Sequence, residues 1–168
     1  MLEVILGDIS RLPFSVDAIV NAANTALIPG GGVDGALNRV AGPALKKAMA
    51  AMGGTPTGTA VITPAFDLAA DYVIHAVGPR YRDGKQHEAE QLQSAYEAIF
   101  HLAHQQAVQT LALPVLSTGI YNYPKKEAAE ILYRVANRPE NQNIETKIIV
   151  FESTWPPLFE KIIAASSW

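Results

Sequence analysis

Short strand-like segments alternate along this chain with longer segments whose apolar residues recur every three or four positions. The strand-like segments span residues 2–6, 18–20, 60–63, 72–77, 110–116 and 147–151, and the helical ones span residues 33–49, 88–106, 125–137 and 156–165. Such alternation is typical of parallel strands joined by helices that cross over the faces of a sheet. The order of segments therefore predicts an α/β protein with a largely parallel central sheet.

The length of the chain fits one such unit. It has 168 residues, and domains usually run to about 100–200 residues. Apolar residues make up 49% of the chain and charged residues 17%, a composition that disfavours intrinsic disorder. We therefore expect a single domain over residues 1–168, in which Gly53-Gly54 ends the first helix and residues 138–145 form a surface loop.

Charge and cysteine content narrow the classes of function. The net charge is −3 and the only adjacent basic pairs are Lys46-Lys47 and Lys125-Lys126, so nucleic acid is not expected as the main ligand. The absence of cysteine excludes disulfides, thiolate-bound zinc and a cysteine nucleophile. We see neither a signal-peptide pattern nor an apolar run near the about 18 residues of a membrane span. These features predict a cytoplasmic protein without a membrane partner.

Polar segments follow several of the predicted strands at their carboxyl ends. They cover residues 21–35, 117–124 and 151–152, together with the Gly7-Asp8 pair. Ligands of open α/β sheets bind beyond the carboxyl ends of the strands. We therefore expect these segments to meet along one edge of the sheet and to form a binding site there.

The first of these loops is rich in glycine and opens into a helix. Glycine lets an anion approach the backbone, and the N–H groups at a helix N-terminus attract it. Gly30-Gly31-Gly32 is followed by neither the Gly-Lys-Ser/Thr of a Walker A loop nor the spacing of a dinucleotide fingerprint. From the residues alone, Asp34 either caps or charges the first helical turn, which is the commoner case, or is a functional carboxylate.

Hydroxyl-bearing and small residues make up the second loop, from Ser117 to Tyr121. Facing the first loop, it could clamp a pyrophosphate, although an ordinary strand–helix turn has a similar composition. Three further residues have paired interpretations. Asn24 could bind sugar hydroxyls or form a turn, Asp8 could accept from an exocyclic amine or cap a turn, and Phe151 could stack on a base or lie in the core. Periodicity favours the core for Phe151.

Histidines and acidic residues elsewhere carry weaker signals. His75 alternates with valines in a strand, so we expect it to be buried and hydrogen-bonded. His101 and His104 lie three apart on a helix, and this pair by itself falls short of the ligand set of a zinc site, so no metal is expected there. Glu88 and Glu90 are expected on a solvated helix start.

Six strings of the sequence stand in a recognisable order. They are GDI at 7–9, VDAIVNAAN at 16–24, GGGVDGAL at 30–37, TGTAVIT at 57–63, YVIHAVGP at 72–79 and PVLSTGIYNYP at 114–124. Together they resemble the macrodomain family, and most of all its MacroD-type branch. The pairing of NAAN with GGGVDG is far more specific than STG alone. Pro29, Asn38 and Asn122 depart from the family's pattern, which usually has a glycine, a histidine and a glycine there.

The resemblance implies a three-layer α/β/α sandwich with a mixed, largely parallel sheet. It implies binding of ADP-ribose and hydrolysis of ester-linked ADP-ribose, in ADP-ribosylated acidic side chains of proteins and in O-acetyl-ADP-ribose, with no cofactor and no metal. By similarity the catalytic residues would be Asn24, which orients the distal ribose, and Asp34, which positions or activates water with help from a substrate phosphate. The ligand-binding residues implied are Asp8, Ile9 and Phe151 at adenine, Ala22 and Asn24, and around the diphosphate Gly30, Gly31, Gly32, Val33, Ser117, Thr118, Gly119, Ile120 and Tyr121.

The resemblance favours a hydrolase over three alternatives. A non-catalytic ADP-ribose reader would use the same loops without acid chemistry, and the departures at Pro29 and Asn38 are what raise it. An RNA-associated module would leave the cleft vestigial, and the modest acidity of the chain argues against it. A phosphatase acting on a terminal phosphate of ADP-ribose is disfavoured by the GGGVDG string. The sequence leaves the oligomeric state open.

Overall fold

The computed structural model describes residues 2–166, so residue 1 and residues 167–168 of the predicted domain lie outside it. The strands are β1 (Leu2–Leu6), β2 (Val16–Ala22), β3 (Ala60–Pro64), β4 (Ala70–Ala76), β5 (Thr110–Leu113) and β6 (Glu145–Val150). The α-helices are α1 (Gly32–Ala41), α2 (Pro43–Ala51), α3 (Glu88–Gln105), α4 (Lys125–Ala136) and α5 (Trp155–Ser166). Short 3₁₀ turns occupy Ile9–Arg11 and Pro139–Asn141. Across residues 2–166 no helix is long and apolar enough to cross a membrane.

The strands form one sheet in the order β1-β6-β5-β2-β4-β3. Each pair of neighbours among β1, β6, β5, β2 and β4 is parallel. β3, at the edge of the sheet, pairs antiparallel with β4. The prediction of a mixed, largely parallel sheet is thus confirmed. Because β1, β6, β5, β2 and β4 run in the same direction, their carboxyl ends meet along one edge of the sheet.

Helices cover both faces of the sheet. On β2, Ala18 and Val20 pack into the apolar layer of α3, α4 and α5, whereas Ile19 packs into the layer of α1 and α2. Leu92 of α3 and Leu37 of α1 are fully buried in these two layers. The alternation along β2 follows from the period of two in a strand, which sends successive side chains to opposite faces. This is the α/β/α sandwich that the resemblance implies.

The first predicted helix, over residues 33–49, is wrong as a single element. The chain forms α1 and α2 in its place, with a break at Gly42 and Pro43. Gly42 has a φ of 89°, and Pro43 occupies the first turn of α2. Proline lacks an N–H group and clashes with the carbonyl of the residue four positions earlier, so the helix stops and restarts there. The apolar periodicity continues across the break and therefore concealed it.

The predicted strand over residues 110–116 is also too long. β5 ends at Leu113 because Pro114 has no N–H group to donate to the ladder. Residues 114–116 leave the sheet and lead into the second polar loop. The other strands and helices begin and end within two residues of their predicted bounds.

Glu88 is buried, so the prediction of a solvated position is wrong for it, whereas Glu90 is exposed. The Glu88 carboxylate accepts backbone N–H groups from the preceding loop, at 2.9 Å from Arg82, 3.1 Å from Gly84 and 2.6 Å from Gln86. These bonds, that of Arg82 foremost, lower the pKa of Glu88 to about 2. Glu88 thus holds together the loop that precedes α3.

Residues 138–145 are likewise more than a surface loop. Asn141 and Ile144 are buried, and Glu145 begins β6. The Asn141 side chain donates to the carbonyl of Val135 at 2.8 Å and lies 2.8 Å from Nε2 of His104. These bonds pin the segment to α3 and α4, which the polar composition did not indicate.

Candidate functional site

A cleft of about 770 Å³ lies along the edge where the parallel strands end. Its size is in the ordinary range for small-molecule sites, about 300–1,000 Å³. Every residue singled out from the sequence as a site candidate lines it: Asp8, Ile9, Ala22, Asn24, Gly30, Gly31, Gly32, Val33, Asp34, Ser117, Thr118, Gly119, Ile120, Tyr121 and Phe151. The expected meeting of the polar loops at one sheet edge is confirmed, while the role of each residue stays a prediction.

Asp34 stands in the first turn of α1 and is buried, with 3% of its surface exposed. Its Oδ1 accepts from Nδ2 of Asn21 at 2.9 Å and from Nδ2 of Asn38 at 3.0 Å, and its Oδ2 accepts from the N–H of Gly30 at 3.2 Å. Burial raises the pKa of the Asp34 carboxyl, and these three bonds act against that rise. A carboxylate of raised basicity at the wall of a cleft is suited to accept a proton.

The glycine loop packs closely against the start of α1. A Cβ atom added to Gly35 would lie 2.5 Å from the carbonyl oxygen of Gly30, so only glycine permits this approach. Gly32 has a φ of 56°, which also favours glycine. The cap residue Gly31 has no side chain with which to cover the N–H groups of the first turn. They are therefore suited to bind an anion in the cleft.

Asn24 forms the turn that leads into this loop. Its Nδ2 donates to the carbonyl of Ile28 at 2.6 Å, and its Oδ1 accepts from the N–H of Ile28 at 3.1 Å. The turn-forming interpretation is thus confirmed. The predicted contact with a ribose would add to that role, because the amide nitrogen has a second proton and the oxygen a second lone pair.

The second loop is held in an unusual backbone conformation. Ser117 has a φ of 68° and Asn122 a φ of 59°, values that non-glycine residues rarely adopt. The buried hydroxyl of Ser117 has no hydrogen-bond partner among the residues described. It lies so close to Gly78 that a Cβ atom there would collide with it. Backbone strain of this kind clusters at binding sites.

Residues after β4 support this second loop. The N–H of Tyr81 donates to the carbonyl of Tyr121 at 2.8 Å, and the rings of Tyr81 and Tyr123 meet edge to face with centroids 4.9 Å apart. The guanidinium of Arg80 lies 5.2 Å from the centroid of the Tyr121 ring. Among the described residues that line the cleft, Arg80 is the one cation, beside the acids Asp8, Asp34 and Glu152.

The far end of the cleft, where β1 and β6 end, holds Asp8 and Phe151. Oδ1 of Asp8 accepts from the hydroxyl of Ser10 at 2.7 Å and from its N–H at 2.9 Å, and these bonds lower the pKa of Asp8. Asp8 is therefore a turn cap, whatever else it binds. The placement of Phe151 in the core is wrong, because it follows the last residue of β6 and is 80% exposed. Its ring is free to stack on a flat ligand.

His75 lies in β4 behind the cleft and is fully buried, as its alternation with valines predicts. Its Nε2 lies 2.9 Å from the hydroxyl of Thr63, and its Nδ1 lies 3.1 Å from Nδ2 of Asn21. Burial lowers the pKa of His75 to about 4. The imidazole is thus neutral near pH 7.

Sequence reasoning missed three side chains that shape the site. Asn38 follows Asp34 by four residues on α1, a spacing that puts both on one helix face and was a usable signal. Asn21 belongs to a segment that the sequence placed at the site, but neither its contact with Asp34 nor that of Arg80 with Tyr121 was signalled, because both contacts join segments that are separate in sequence. Within residues 2–166, no group of three or more His, Asp or Glu side chains is placed to hold a metal ion.

Comparison with known proteins agrees with this geometry. The family model described as Macro domain matches residues 20–132. An O-acetyl-ADP-ribose deacetylase of Salmonella gallinarum is 51% identical over 140 residues, which cover 81% of this chain and 77% of that protein. O-acetyl-ADP-ribose deacetylase 2 of Pantoea vagans is 42% identical over 169 residues, which cover 96% of this chain and 98% of that protein.

Solved structures show the same architecture. A mutant Oceanobacillus iheyensis macrodomain with ADPR superposes with a TM-score of 0.91 at 31% identity, covering 99% of this chain and 93% of that one. A Trypanosoma brucei macrodomain in complex with ADP-ribose gives a TM-score of 0.84 at 32% identity, covering 96% of this chain and 68% of that one. Since the sequence match spans more than half of the chain and the sheet, loops and cleft agree with it, the chain belongs to the macrodomain family.

Proposed function

We propose that this protein binds ADP-ribose in the cleft and hydrolyses ester-linked ADP-ribose, both in O-acetyl-ADP-ribose and on mono-ADP-ribosylated acidic side chains of proteins. The observation that carries the proposal is the buried carboxylate of Asp34, which lies in the same cleft as two loops suited to a diphosphate. Relatives at 51% and 42% identity that are named O-acetyl-ADP-ribose deacetylase support it.

The diphosphate would lie between the two loops. On one side are the N–H groups at the start of α1, and on the other is the strained loop that contains Ser117 and Asn122. Backbone N–H groups and a helix terminus bind anions without a basic patch. A net charge of −3 is therefore compatible with an anionic ligand.

The strand order gives the ligand a direction. Asp8 and Phe151 follow β1 and β6, at one side of the cleft, whereas Asn24 and Asp34 follow β2, two strands from β6. The adenine ring of ADP-ribose would lie against Phe151, with its exocyclic amine at Asp8. The distal ribose, which carries the ester, would then lie beside Asn24 and Asp34.

In this arrangement Asp34 acts as the base of an ester hydrolysis. One water is consumed, and ADP-ribose and a carboxylic acid are released. Asp34 accepts a proton from the water as it attacks, and a phosphate oxygen of the substrate helps to orient that water. Asn24 holds the ribose so that the ester faces the water. Fixing the reacting groups in this way is the main contribution expected of the loops.

The direct test is to compare wild type with Asp34→Asn on both substrates while measuring ADP-ribose binding by calorimetry. Loss of a general base lowers turnover by about 10²–10⁴-fold, and we expect binding to change little. If both proteins bind ADP-ribose and neither releases it from either substrate, the hydrolase proposal fails. The protein would then be a reader of ADP-ribose.

The reader is our second candidate, and one observation favours it. Both polar atoms of the Asn24 side chain bond to the main chain of Ile28. A ribose would then share an amide that also holds the loop, which leaves Asn24 less free to orient the ester toward an attacking water. The turnover assay above separates the two functions.

A further inference from the structure

A line of hydrogen bonds runs through the sheet behind Asp34. Thr63 of β3 lies 2.9 Å from Nε2 of His75 in β4, and Nδ1 of His75 lies 3.1 Å from Nδ2 of Asn21 in β2. The same Nδ2 donates to Oδ1 of Asp34 at 2.9 Å. All four residues are buried, and Thr63, His75 and Asn21 lie outside the lining of the cleft.

The protons in this line have one consistent arrangement. The hydroxyl of Thr63 donates to the carbonyl of Pro64 at 3.0 Å, so its oxygen is left to accept from Nε2–H of His75. A neutral imidazole with its proton on Nε2 can only accept at Nδ1. Asn21 therefore donates one amide proton to His75 and the other to Asp34.

We propose that Thr63, His75 and Asn21 are positioning residues that keep the side chain of Asp34 in place and in its carboxylate form. The inference rests on the proposed function, because it matters to the reaction only if Asp34 accepts a proton. Thr63 selects the tautomer of His75, the tautomer selects the orientation of the Asn21 amide, and that amide donates to Asp34.

The side-chain amide of Asn21 could adopt either of two orientations, and its oxygen does not fix which one. Its Oδ1 is buried and, within residues 2–166, has no hydrogen-bond partner, so Asn21 is oriented by its nitrogen alone. In the reversed orientation Oδ1 would face the carboxylate of Asp34, and two acceptors would repel each other. Because Nδ1 of His75 accepts a hydrogen bond from Nδ2 of Asn21, it keeps that nitrogen on the side that faces Asp34.

Few charges surround Asp34. On α1, Arg39 has its guanidinium beside Gly35, and the cleft adds Asp8, Arg80 and Glu152. On the sheet, His75 is the titratable group behind Asn21. The influences on the pKa of Asp34 are burial and then the uncharged groups of Asn21, Gly30 and Asn38. The hydrogen bonds that these three groups donate therefore limit how far burial raises the pKa of Asp34.

The test uses Thr63, which does not line the cleft. Thr63→Val has the same shape but no acceptor, so His75 moves its proton to Nδ1 and the Asn21 amide loses its hold. Thr63→Ser keeps the hydroxyl and is the matched control. A hydrogen bond to a charged group is worth enough to move a pKa by about one unit, so we expect the pKa of Asp34 to rise by about one unit in Thr63→Val and to stay unchanged in Thr63→Ser.

The pKa of Asp34 is measured by ¹³C NMR of the unliganded protein, and the acid limb of kcat/KM is followed in parallel. If Thr63→Val and Thr63→Ser show the same Asp34 pKa as wild type, the inference is overturned. If wild type lacks turnover but the pKa moves as expected, the proposed function fails and the positioning line stands.

A second measurement covers the case in which Thr63→Val does not fold. The ¹⁵N shifts of His75 in the wild-type protein report its tautomer, and we expect the proton on Nε2. A proton on Nδ1 would reverse the direction of the line and refute the inference without any variant.

Discussion

Asn24 and Ile28 form a closed pair, in which the Asn24 side chain both donates to and accepts from the main chain of Ile28, at 2.6 Å and 3.1 Å. The side chain predicted to meet the distal ribose thus also shapes the loop that leads to Gly30. Binding and loop structure are therefore coupled at one residue.

Replacing Asn24 should separate these two roles. Asn24→Ala removes both bonds, whereas Asn24→Asp keeps the acceptor for the N–H of Ile28. We expect hydrogen exchange of the Ile28 amide to speed up markedly only in Asn24→Ala. Turnover should fall at least about tenfold in both variants, because misplacing a substrate by a small distance is costly. Unchanged turnover in Asn24→Asp would show that the amide nitrogen has no part in the reaction.

Gly35 should tolerate no side chain. A Cβ atom there would lie 2.5 Å from the carbonyl oxygen of Gly30, and crowding of this kind lowers the free energy of unfolding by about 1–3 kcal/mol. Gly31→Ala is the matched control, because a Cβ atom at Gly31 meets nothing within 4 Å. Denaturant unfolding of both variants checks the expectation. Equal stability of the two would mean that the loop relaxes around the added methyl group.

The stability of the protein should fall as the pH drops from about 6.5 to 4, in part because of His75. Its pKa is lowered by burial to about 4 from 6.5, so in this window the unfolded chain binds a proton that the folded protein does not. Linkage then costs up to about 3 kcal/mol at the acid end of the window. The asparagine of His75→Asn does not titrate in this window. In that variant, the free energy of unfolding measured against pH should therefore fall less steeply between about pH 6.5 and 4. A slope that is the same in the variant and in wild type would assign the loss to other groups.

The stabilisation that Glu88 contributes should be lost over a lower pH range than the loss that His75 causes. The folded-state pKa of Glu88, about 2, lies below the usual 4.5, so its stabilisation is complete above pH 4.5 and is lost as the pH falls toward 2. Glu88→Gln places an amide NH₂ among backbone donors, so the melting temperature should fall and the amides of residues 82–86 should exchange faster. Glu90→Gln, at an exposed position of the same helix turn, should change neither. Equal exchange in the two variants would contradict the role assigned to Glu88.

Much of the site could be predicted because its residues are contiguous in sequence. The runs 30–34 and 117–121 each lie in one loop, and a loop after a parallel strand can only emerge at the carboxyl edge of the sheet. Phe151 was misjudged because periodicity describes a strand and says nothing of the residue just past its end. Glu88 was misjudged because its partners are backbone N–H groups, which the identities of neighbouring side chains do not reveal.

The amino-acid sequence by itself determined the alternation of strands with helices, the largely parallel sheet and the loops that form the site, since these follow from local periodicity and from short motifs. It did not reveal the break between α1 and α2. Only the tertiary structure decided that Asn21, His75 and Thr63 line up behind Asp34, and that Arg80 lies against Tyr121. Those contacts join residues between 12 and 54 positions apart. They depend on which strands become neighbours, and the register between strands is a property of the packed sheet that no single segment encodes.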